Sequence, residues 1–157
     1  MHPLVNFHYA NADSVEAENQ CKFAIILAQH QQQLVLVKHR QRTTFEFPGG
    51  RRESGETIDQ CAQRELFEET GALEFQLDRV HSFEIEVNDR NMVGMIYQAD
   101  IQSFGPMPES EIASVHFFDQ IPNQLTYPAY TPLIINAVFP GQFIDPECQV
   151  TSPGFGR

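Results

Sequence analysis

The sequence predicts a mixed α/β (α+β) fold in which two helices pack on a mixed β-sheet. Three observations favour this class: strand-like segments outnumber helical ones, the two helical segments are far apart along the chain, and no linker or repeat divides the 157 residues. We therefore interpret residues 1–157 as a single domain whose regular core spans about residues 20–139. The hydrophobic fraction of 41% is that of a globular protein.

Five segments are predicted to be β-strands, because apolar and β-branched residues alternate or cluster in them between turn-forming residues. They lie at residues 22–28, 34–38, 75–87, 92–101 and 113–118. The polar residues 29–33 and 88–91 are the predicted turns of two hairpins. Residues 45–47 are short and extended, and the Pro-Gly-Gly that follows is expected to end them.

Two segments are predicted to be helices. Residues 57–70 are rich in helix formers and contain no glycine or proline. Thr57 suits the N-cap, and Gly71 stands where a C′ glycine belongs. Residues 128–139 form the second helix, with Pro132 in its first turn.

The two ends of the chain carry little pattern. We expect residues 1–20 to be irregular apart from one short alternating stretch around Val5, Phe7 and Tyr9, and the tail from Pro140 to pack loosely. The N-terminus lacks a basic segment followed by an apolar one, and no apolar run approaches the roughly 20 residues that span a bilayer. The three cysteines are far apart, which is typical of reduced thiols. These features predict a cytoplasmic protein with no membrane partner.

The charge distribution favours a small anionic ligand. The net charge is −11, so a nucleic acid polymer is repelled. Six of the ten basic residues nevertheless lie within one short stretch of the sequence. They are Lys38, Arg40, Arg42, Arg51, Arg52 and Arg64. Ordinary surface charge is the alternative explanation for this group.

One face of the first predicted helix is chemically unusual. At about 100° per residue, Glu69 lies near 40° and Glu68 near −60° from Glu65. The apolar residues Ile58, Cys61, Ala62 and Leu66 share the same half of the helix. Carboxylates crowded on a partly buried face repel each other and lose hydration, so they need a counter-charge. A divalent cation supplies it, and all-oxygen ligation favours Mg²⁺ or Mn²⁺ over zinc.

The residues in and before this helix match a known pattern, the Nudix box G-x5-E-x7-R-E-U-x-E-E-x-G-U, in which U is aliphatic. Its positions are filled by Gly50, Glu56, Arg64-Glu65-Leu66, Glu68-Glu69, Gly71 and Ala72. Ala72 alone departs, because it is smaller than the usual aliphatic residue. The chain therefore resembles the Nudix hydrolase family. The segment around Phe47 resembles that of MutT-like nucleoside triphosphate pyrophosphohydrolases.

This resemblance implies an α/β/α sandwich and a metal-dependent hydrolysis of a phosphoanhydride bond. Glu68 and Glu69 resemble metal ligands, and Glu65 resembles a ligand or the general base. The Gly49 carbonyl resembles a further ligand. In such enzymes a metal-bound water attacks phosphorus, and catalysis depends mainly on positioning and charge stabilisation.

Other roles also come from the resemblance. Glu56 and Arg64 resemble supports of the metal cluster, and Arg64 can orient a neighbouring carboxylate. Many members add an acid from a loop late in the domain. Glu109 and Glu111 are the candidates here, and the spacing from Glu111 to the following strand resembles the family's acid-then-strand segment.

The substrate is less clearly indicated. Phe47 matches a position that contacts the base in MutT-like members, and Tyr130 stands where an Asn reads oxidised guanine. Tyrosine can stack on a base but cannot make the paired contacts of an amide. A packed aromatic side chain is the alternative interpretation of Tyr130. Arg51 and Arg52 are the candidate phosphate ligands.

The function predicted is a Mg²⁺-dependent (or Mn²⁺-dependent) cleavage of a nucleoside triphosphate, oxidised ones included, to a monophosphate and pyrophosphate. The chain lacks the proline of ADP-ribose hydrolases and the tyrosine of dinucleoside polyphosphate hydrolases at the matching positions. Two alternatives stay open: a non-catalytic nucleotide-binding module, and a hydrolase of nucleotide sugars or dinucleoside polyphosphates. The oligomeric state is open as well, a homodimer included.

Overall fold

The computed structural model describes residues 4–8, 19–87 and 89–144. Their strands are β1 (Leu4–His8), β2 (Phe23–His30), β3 (Gln33–His39), β4 (Gly49–Arg51), β5 (Ala72–Val87), β6 (Arg90–Phe104) and β7 (Ile112–Phe118), and their helices are α1 (Ile58–Thr70) and α2 (Thr131–Val138). The strands form one sheet in the order β1-β5-β6-β2-β3-β7, and β4 pairs with β2 off this path. β2 runs parallel to β6, whereas β2 and β3 are antiparallel, so the sheet is mixed.

Alternating residues of the central strands supply two separate apolar cores. Val35 belongs to the core that contains the buried side of α1, while its neighbours Leu34 and Leu36 belong to the core that contains Ile134 of α2. Since successive side chains of a strand point to opposite faces, the two helices cover opposite faces of the sheet. The predicted α/β/α arrangement is therefore confirmed.

The hairpin of β2 and β3 turns at two residues, Gln31 and Gln32. Their φ angles are 49° and 69°, which is left-handed at both central positions. A two-residue turn of this kind matches the right-handed twist of the flanking strands. The turn is therefore tighter than the predicted residues 29–33.

Helix α1 begins and ends as its sequence predicts. Thr57 and Gln60 form a capping box: the Gln60 backbone N–H donates to Thr57 Oγ1 at 3.1 Å, and the Thr57 N–H donates to Gln60 Oε1 at 2.9 Å. At the other end Gly71 adopts φ 76°, and its N–H donates to the Phe67 carbonyl at 2.8 Å.

Both ends of α1 are tied to the long hairpin of β5 and β6. In the first turn Asp59 accepts from Arg79 Nε at 2.6 Å and from the hydroxyl of Tyr97, which is buried. After the last turn the Gly71 carbonyl accepts from the Gly105 N–H at 2.8 Å. Burial and the Asp59 carboxylate raise the pKa of Tyr97, so this phenol stays a hydrogen-bond donor.

The extended segment at Phe45 and Glu46 ends before Pro48 as predicted, but the glycines that follow begin a new strand, β4, which was not predicted. β4 pairs with the start of β2, where Ile25 is opposite Gly49 and Phe23 is opposite Arg51. β3 pairs with β2 only along the end of β2, from Ala28 onward. The early part of β2 therefore has an edge that β3 does not cover. β4 can pair there because its two glycines need no room for a side chain.

The chain ends differ only in part from expectation. The alternating stretch around Val5 and Phe7 is the strand β1, which pairs antiparallel with β5. The start of the tail is not loosely packed: Phe143 is 1% exposed, packs edge-to-face on Phe139, and accepts from the Ile121 N–H at 2.8 Å through its carbonyl. Residues 145–157 lie outside the described residues.

Smaller differences concern element boundaries. β5 begins at Ala72, three residues before the predicted start, and β6 spans residues 90–104. α2 begins at Thr131 rather than residue 128, with Pro132 in its first turn as predicted. Neither helix of the described residues is long and apolar enough to cross a membrane.

Candidate functional site

Three acids of α1 form a carboxylate cluster, which we define as Glu65, Glu68 and Glu69. Their burial differs strongly. Glu69 is 7% exposed, and the side chains of Glu65 and Glu68 are 14% and 46% exposed. The sequence pattern placed all three on a partly buried face, and the structure buries Glu69, partly buries Glu65 and leaves Glu68 half-exposed.

Glu69 is the most perturbed acid of the cluster. Its Oε1 accepts from the Gly49 backbone N–H at 3.3 Å, and its buried Oε2 has no hydrogen-bond partner among the described residues. Burial, and next the charge of Glu65, raise the pKa of Glu69 to about 9. Burial also raises the pKa of Glu65. The pair therefore holds a proton at neutral pH in the metal-free protein.

Arg64 is the cation of the site, and it joins four groups. Its Nε and Nη2 donate to the two oxygens of Glu56 at 2.7 and 2.8 Å. Its Nη1 donates to Glu65 Oε1 at 2.8 Å and to Glu68 Oε2 at 3.2 Å, and Nη2 also donates to the Arg51 carbonyl at 3.1 Å. This bidentate pairing lowers the pKa of Glu56 to about 2, so Glu56 keeps its charge and orients the guanidinium.

Two glycines bring the backbone against the cluster. A Cβ at Gly50 would lie 2.5 Å from the Glu65 carboxyl, and a Cβ at Gly49 would lie 2.2 Å from the Ala24 carbonyl oxygen. Real Cβ atoms essentially never come so close to other atoms. Strand β4 can therefore lie between β2 and the acids of α1 only because both positions are glycine.

A family model described as the NUDIX domain matches residues 19–131. The chain belongs to the NUDIX domain family. This confirms the resemblance drawn from the box residues.

Two curated relatives from Bacillus subtilis (strain 168) carry the name 8-oxo-dGTP diphosphatase. One is 40% identical over 47 residues, which is 30% of this chain and 32% of that protein. The other, YtkD, is 31% identical over 93 residues, which is 59% of this chain and 58% of that protein. The matched part of the chain thus spans less than two thirds of the length of either relative.

Solved structures share the fold. The Bacillus subtilis pyrophosphohydrolase BsRppH superposes with a TM-score of 0.73 at 20% identity, over 88% of this chain and 94% of that one. A UDP-X diphosphatase gives 0.63 at 21% identity, over 78% and 66%. A NUDIX hydrolase from Nitrosomonas europaea gives 0.60 at 21% identity, over 82% and 95%. At these identities the likeness shows the fold alone.

The donor set of this Nudix site fits a hard divalent cation. The cluster offers carboxylate oxygens, and the unpartnered Oε2 of Glu69 is a buried acceptor that a cation would satisfy. Within the described residues no three His, Cys, Asp or Glu side chains are already arranged as a metal cluster. The reason is visible in the contacts: Arg64 engages Glu65 and Glu68, so a cation must compete with its guanidinium.

Sequence reasoning missed one buried acid, Glu46. It is 9% exposed, and it accepts from Arg42 Nη1 at 2.8 Å and pairs with His39 Nε2 at 2.5 Å. Its charge contributes to raising the pKa of both Glu69 and Tyr130. The backbone around Glu46 links two regions: Phe45 is bonded to Gln124 and Thr126 before α2, and the Gly49 N–H donates to Glu69 of the cluster. A lone acid between two phenylalanines was the signal that could have revealed it.

The remaining predicted residues are spread around this centre. Phe47 and Tyr130 pack against the core under α2. Arg51 is exposed, and Arg52 Nη2 donates to the Asn19 carbonyl at 3.5 Å. Of these two arginines, Arg51 is linked to the cluster, because its carbonyl accepts a hydrogen bond from Arg64.

The two candidate late acids are not joined to the cluster. Glu109 and Glu111 are exposed, and neither forms a hydrogen bond with an acid of α1 among the described residues. The Glu111 carbonyl accepts from the Arg40 N–H at 2.9 Å, which fixes this backbone beside the end of β3.

Proposed function

We propose that this Nudix protein is a divalent-metal-dependent hydrolase that cleaves a nucleoside triphosphate to a monophosphate and pyrophosphate. The observation that carries the proposal is the acid pair of the buried Glu69 and the partly buried Glu65 beside the glycine backbone of β4, with Glu69 Oε2 unpartnered within the part of the chain that the structure describes. The names of the Bacillus subtilis relatives support the class of reaction and of substrate.

Four groups would hold the metal: the carboxylates of Glu65, Glu68 and Glu69, and the carbonyl of Gly49. Bound Mg²⁺ or Mn²⁺ supplies charge neutralisation at the phosphates and lowers the pKa of a water ligand. Glu65 is proposed either as a ligand or as the general base that takes a proton from the attacking water, because its carboxylate lies in the cluster beside the glycine backbone of β4. Arg64 holds that carboxylate in one orientation through its 2.8 Å bond.

The substrate would be bound on both sides of this centre. Arg51 and Arg52 follow the glycines in β4 and the loop after it, where cationic side chains can meet the phosphates. Phe47 and Tyr130 would contact the base on the α2 side. Glu111 is the proposed additional acid, since its backbone is fixed next to β3 at the start of β7.

The test is a turnover assay with dGTP, 8-oxo-dGTP, ATP and ADP-ribose that measures pyrophosphate or phosphate release. We expect the triphosphates to be hydrolysed much faster than ADP-ribose, EDTA to abolish turnover, and added Mg²⁺ to restore it. Glu65→Gln should lower kcat by about 100-fold or more, as loss of a general base does. The exposed Glu74→Gln, on β5, is the matched control and should keep wild-type turnover.

Two results would contradict the proposal in different ways. Full turnover in metal-free buffer would remove the metal mechanism. A clear preference for ADP-ribose would overturn the substrate class while leaving the hydrolytic chemistry intact.

A further inference from the structure

Strand β7 forms one edge of the sheet, and β3 is its partner on the inner side. The two strands pair antiparallel from Leu34 opposite Phe118 to Lys38 opposite Ser114. In the described part of the chain, no other strand, isolated bridge or loop backbone bond engages residues 113–118. Alternate residues of an antiparallel strand turn their N–H and C=O groups away from the partner. β7 therefore presents a row of backbone donors and acceptors on its outer side.

The side chains of this edge do not protect it against pairing. Sheet edges are commonly blunted by charged side chains or by proline. Residues 112–118 read Ile-Ala-Ser-Val-His-Phe-Phe, with no proline and no Asp, Glu, Lys or Arg. Phe117 is 41% exposed, although its ring packs edge-to-face on Phe104 with the centroids 5.7 Å apart. The edge is therefore a surface at which another strand can add.

The sequence of β7 is complementary to itself when a second copy runs antiparallel across it. With Val115 opposite Val115 of the second copy, Ala113 lies opposite Phe117, and Ser114 lies opposite His116. The exposed Ala113 leaves room for the exposed ring. Ser114 Oγ and His116 Nε2 already lie 2.7 Å apart within one strand, so this pair of groups can also bond between strands. In this register outward backbone groups meet outward backbone groups along the whole strand.

Charged residues stand only at the two ends of this pairing. Glu111 would lie opposite Asp119 of the second copy, and both residues are exposed. Like charges directly opposite each other in a sheet oppose pairing, and the net charge of −11 adds a repulsion between copies at longer range. Salt screens both repulsions, so association of two copies should be tighter at higher ionic strength.

We propose that two copies of this chain associate through β7, in an antiparallel two-fold pairing centred on Val115 that joins their sheets into one. The same surface is used by both copies, so the interface closes on itself and the product is a dimer rather than a filament. This association does not depend on the reaction proposed above.

Sedimentation equilibrium of the full chain, from about 1 to about 200 μM at about 0.05 and about 0.3 M NaCl, measures the association. The wild type should shift from the monomer mass of 17.9 kDa to twice that mass, with a lower dissociation constant at the higher salt. Phe117→Lys should raise the dissociation constant by about ten-fold or more, because a charge replaces an aromatic contact inside the interface. Phe67→Lys is the matched control: the residue is 42% exposed on α1, away from the edge, and the variant should associate like the wild type.

Two complementary variants test the register. Ala113→Glu and Phe117→Lys should each associate weakly alone, whereas their equimolar mixture should form a heterodimer in which the new carboxylate lies opposite the new ammonium. One chain that carries both changes should dimerise with itself. Circular dichroism and thermal unfolding check that each variant folds. Should Phe117→Lys unfold, Ala113→Glu at its exposed position should still raise the dissociation constant.

Three outcomes overturn the proposal. The first is a wild type that stays monomeric at the highest concentration in the higher salt. The second is a dimer that Phe117→Lys leaves intact, or that Phe67→Lys weakens as much. The third is a mixture of Ala113→Glu and Phe117→Lys that associates no better than either variant alone.

Discussion

Replacing Glu69 by glutamine should stabilise the metal-free protein. The carboxyl is 7% exposed, and burial together with the Glu65 charge raises its pKa to about 9 from an ordinary value of 4.5. Between these values the folded state binds a proton that the unfolded state has lost, so stability falls as pH rises from about 4.5 to about 9. At pH 7 the cost is about 3–3.5 kcal/mol, from 2.5 pH units at about 1.4 kcal/mol each. Glutamine resembles the protonated acid and does not titrate.

Thermal unfolding in EDTA at pH 5, 7 and 9 measures this effect. For a domain of this size, about 3 kcal/mol corresponds to a Tm higher by about 6–12 °C at pH 7. The difference between Glu69→Gln and the wild type should shrink at pH 5. Glu68→Gln is the control, because its half-exposed side chain keeps its hydration and should gain little.

Added Mg²⁺ should reverse the order of thermal stability, so that the wild type has a higher Tm than Glu69→Gln. The wild type gains stability because the cation binds only the folded state, whereas Glu69→Gln has lost a charged ligand and should gain little. Its turnover should also fall by orders of magnitude. The reasoning is refuted by a Glu69→Gln protein whose Tm in EDTA equals that of the wild type at both pH 7 and pH 9.

Three further predictions follow from contacts already described. Arg64 lowers the pKa of Glu56 to about 2, so the stability that the Glu56 carboxylate contributes is present above pH about 4.5 and is lost as pH falls toward 2. The urea midpoint of Glu56→Gln should therefore decline less between pH 5 and pH 3 than that of the wild type. Gly50→Ala should displace the Glu65 carboxyl and lower kcat by about 100-fold with the far-UV spectrum retained. Phe143→Ala should cost about 3–5 kcal/mol in urea unfolding, whereas a change below about 0.5 kcal/mol would mean that this residue is not part of the core.

The parts of the fold that the sequence predicted are those whose signals are local. Helix α1 has its capping box, its C′ glycine and its acids within a short stretch, and the Nudix box lies in the same stretch. The alternation at Val5 and Phe7 indicates an extended segment, but the pairing of β1 with β5 depends on a partner distant in sequence, and so does the burial of Phe143. β4 was missed because glycine and proline usually end a strand, and here the glycines are what allow it to pair with β2.

The candidate site shows the same difference between residues with local sequence signals and residues whose partners are distant in sequence. The acids of α1 follow from helical periodicity, but the burial of Glu46 appears only when the chain folds. Glu46 is brought opposite Val37 by a β-bridge, and the segment before α2 is brought beside Phe45 by the bridge to Leu125. Side-chain direction across such bridges cannot be read from composition or spacing.

The double anchoring of α1 determines which parts of the protein can move when a ligand arrives. Asp59 fastens the first turn to β5 and β6, and Gly71 fastens the last turn through Gly105. Sliding or tilting of the helix would break these bonds at both ends, so the acids belong to a rigid frame. The loop of residues 124–130 is instead bonded to residues 44–46, which are bonded in turn to the edge of β3 through Glu46 and Val37. Adjustment to ligands of different size therefore falls to this loop rather than to the helix, and hydrogen exchange should slow there on nucleotide binding while remaining unchanged in α1.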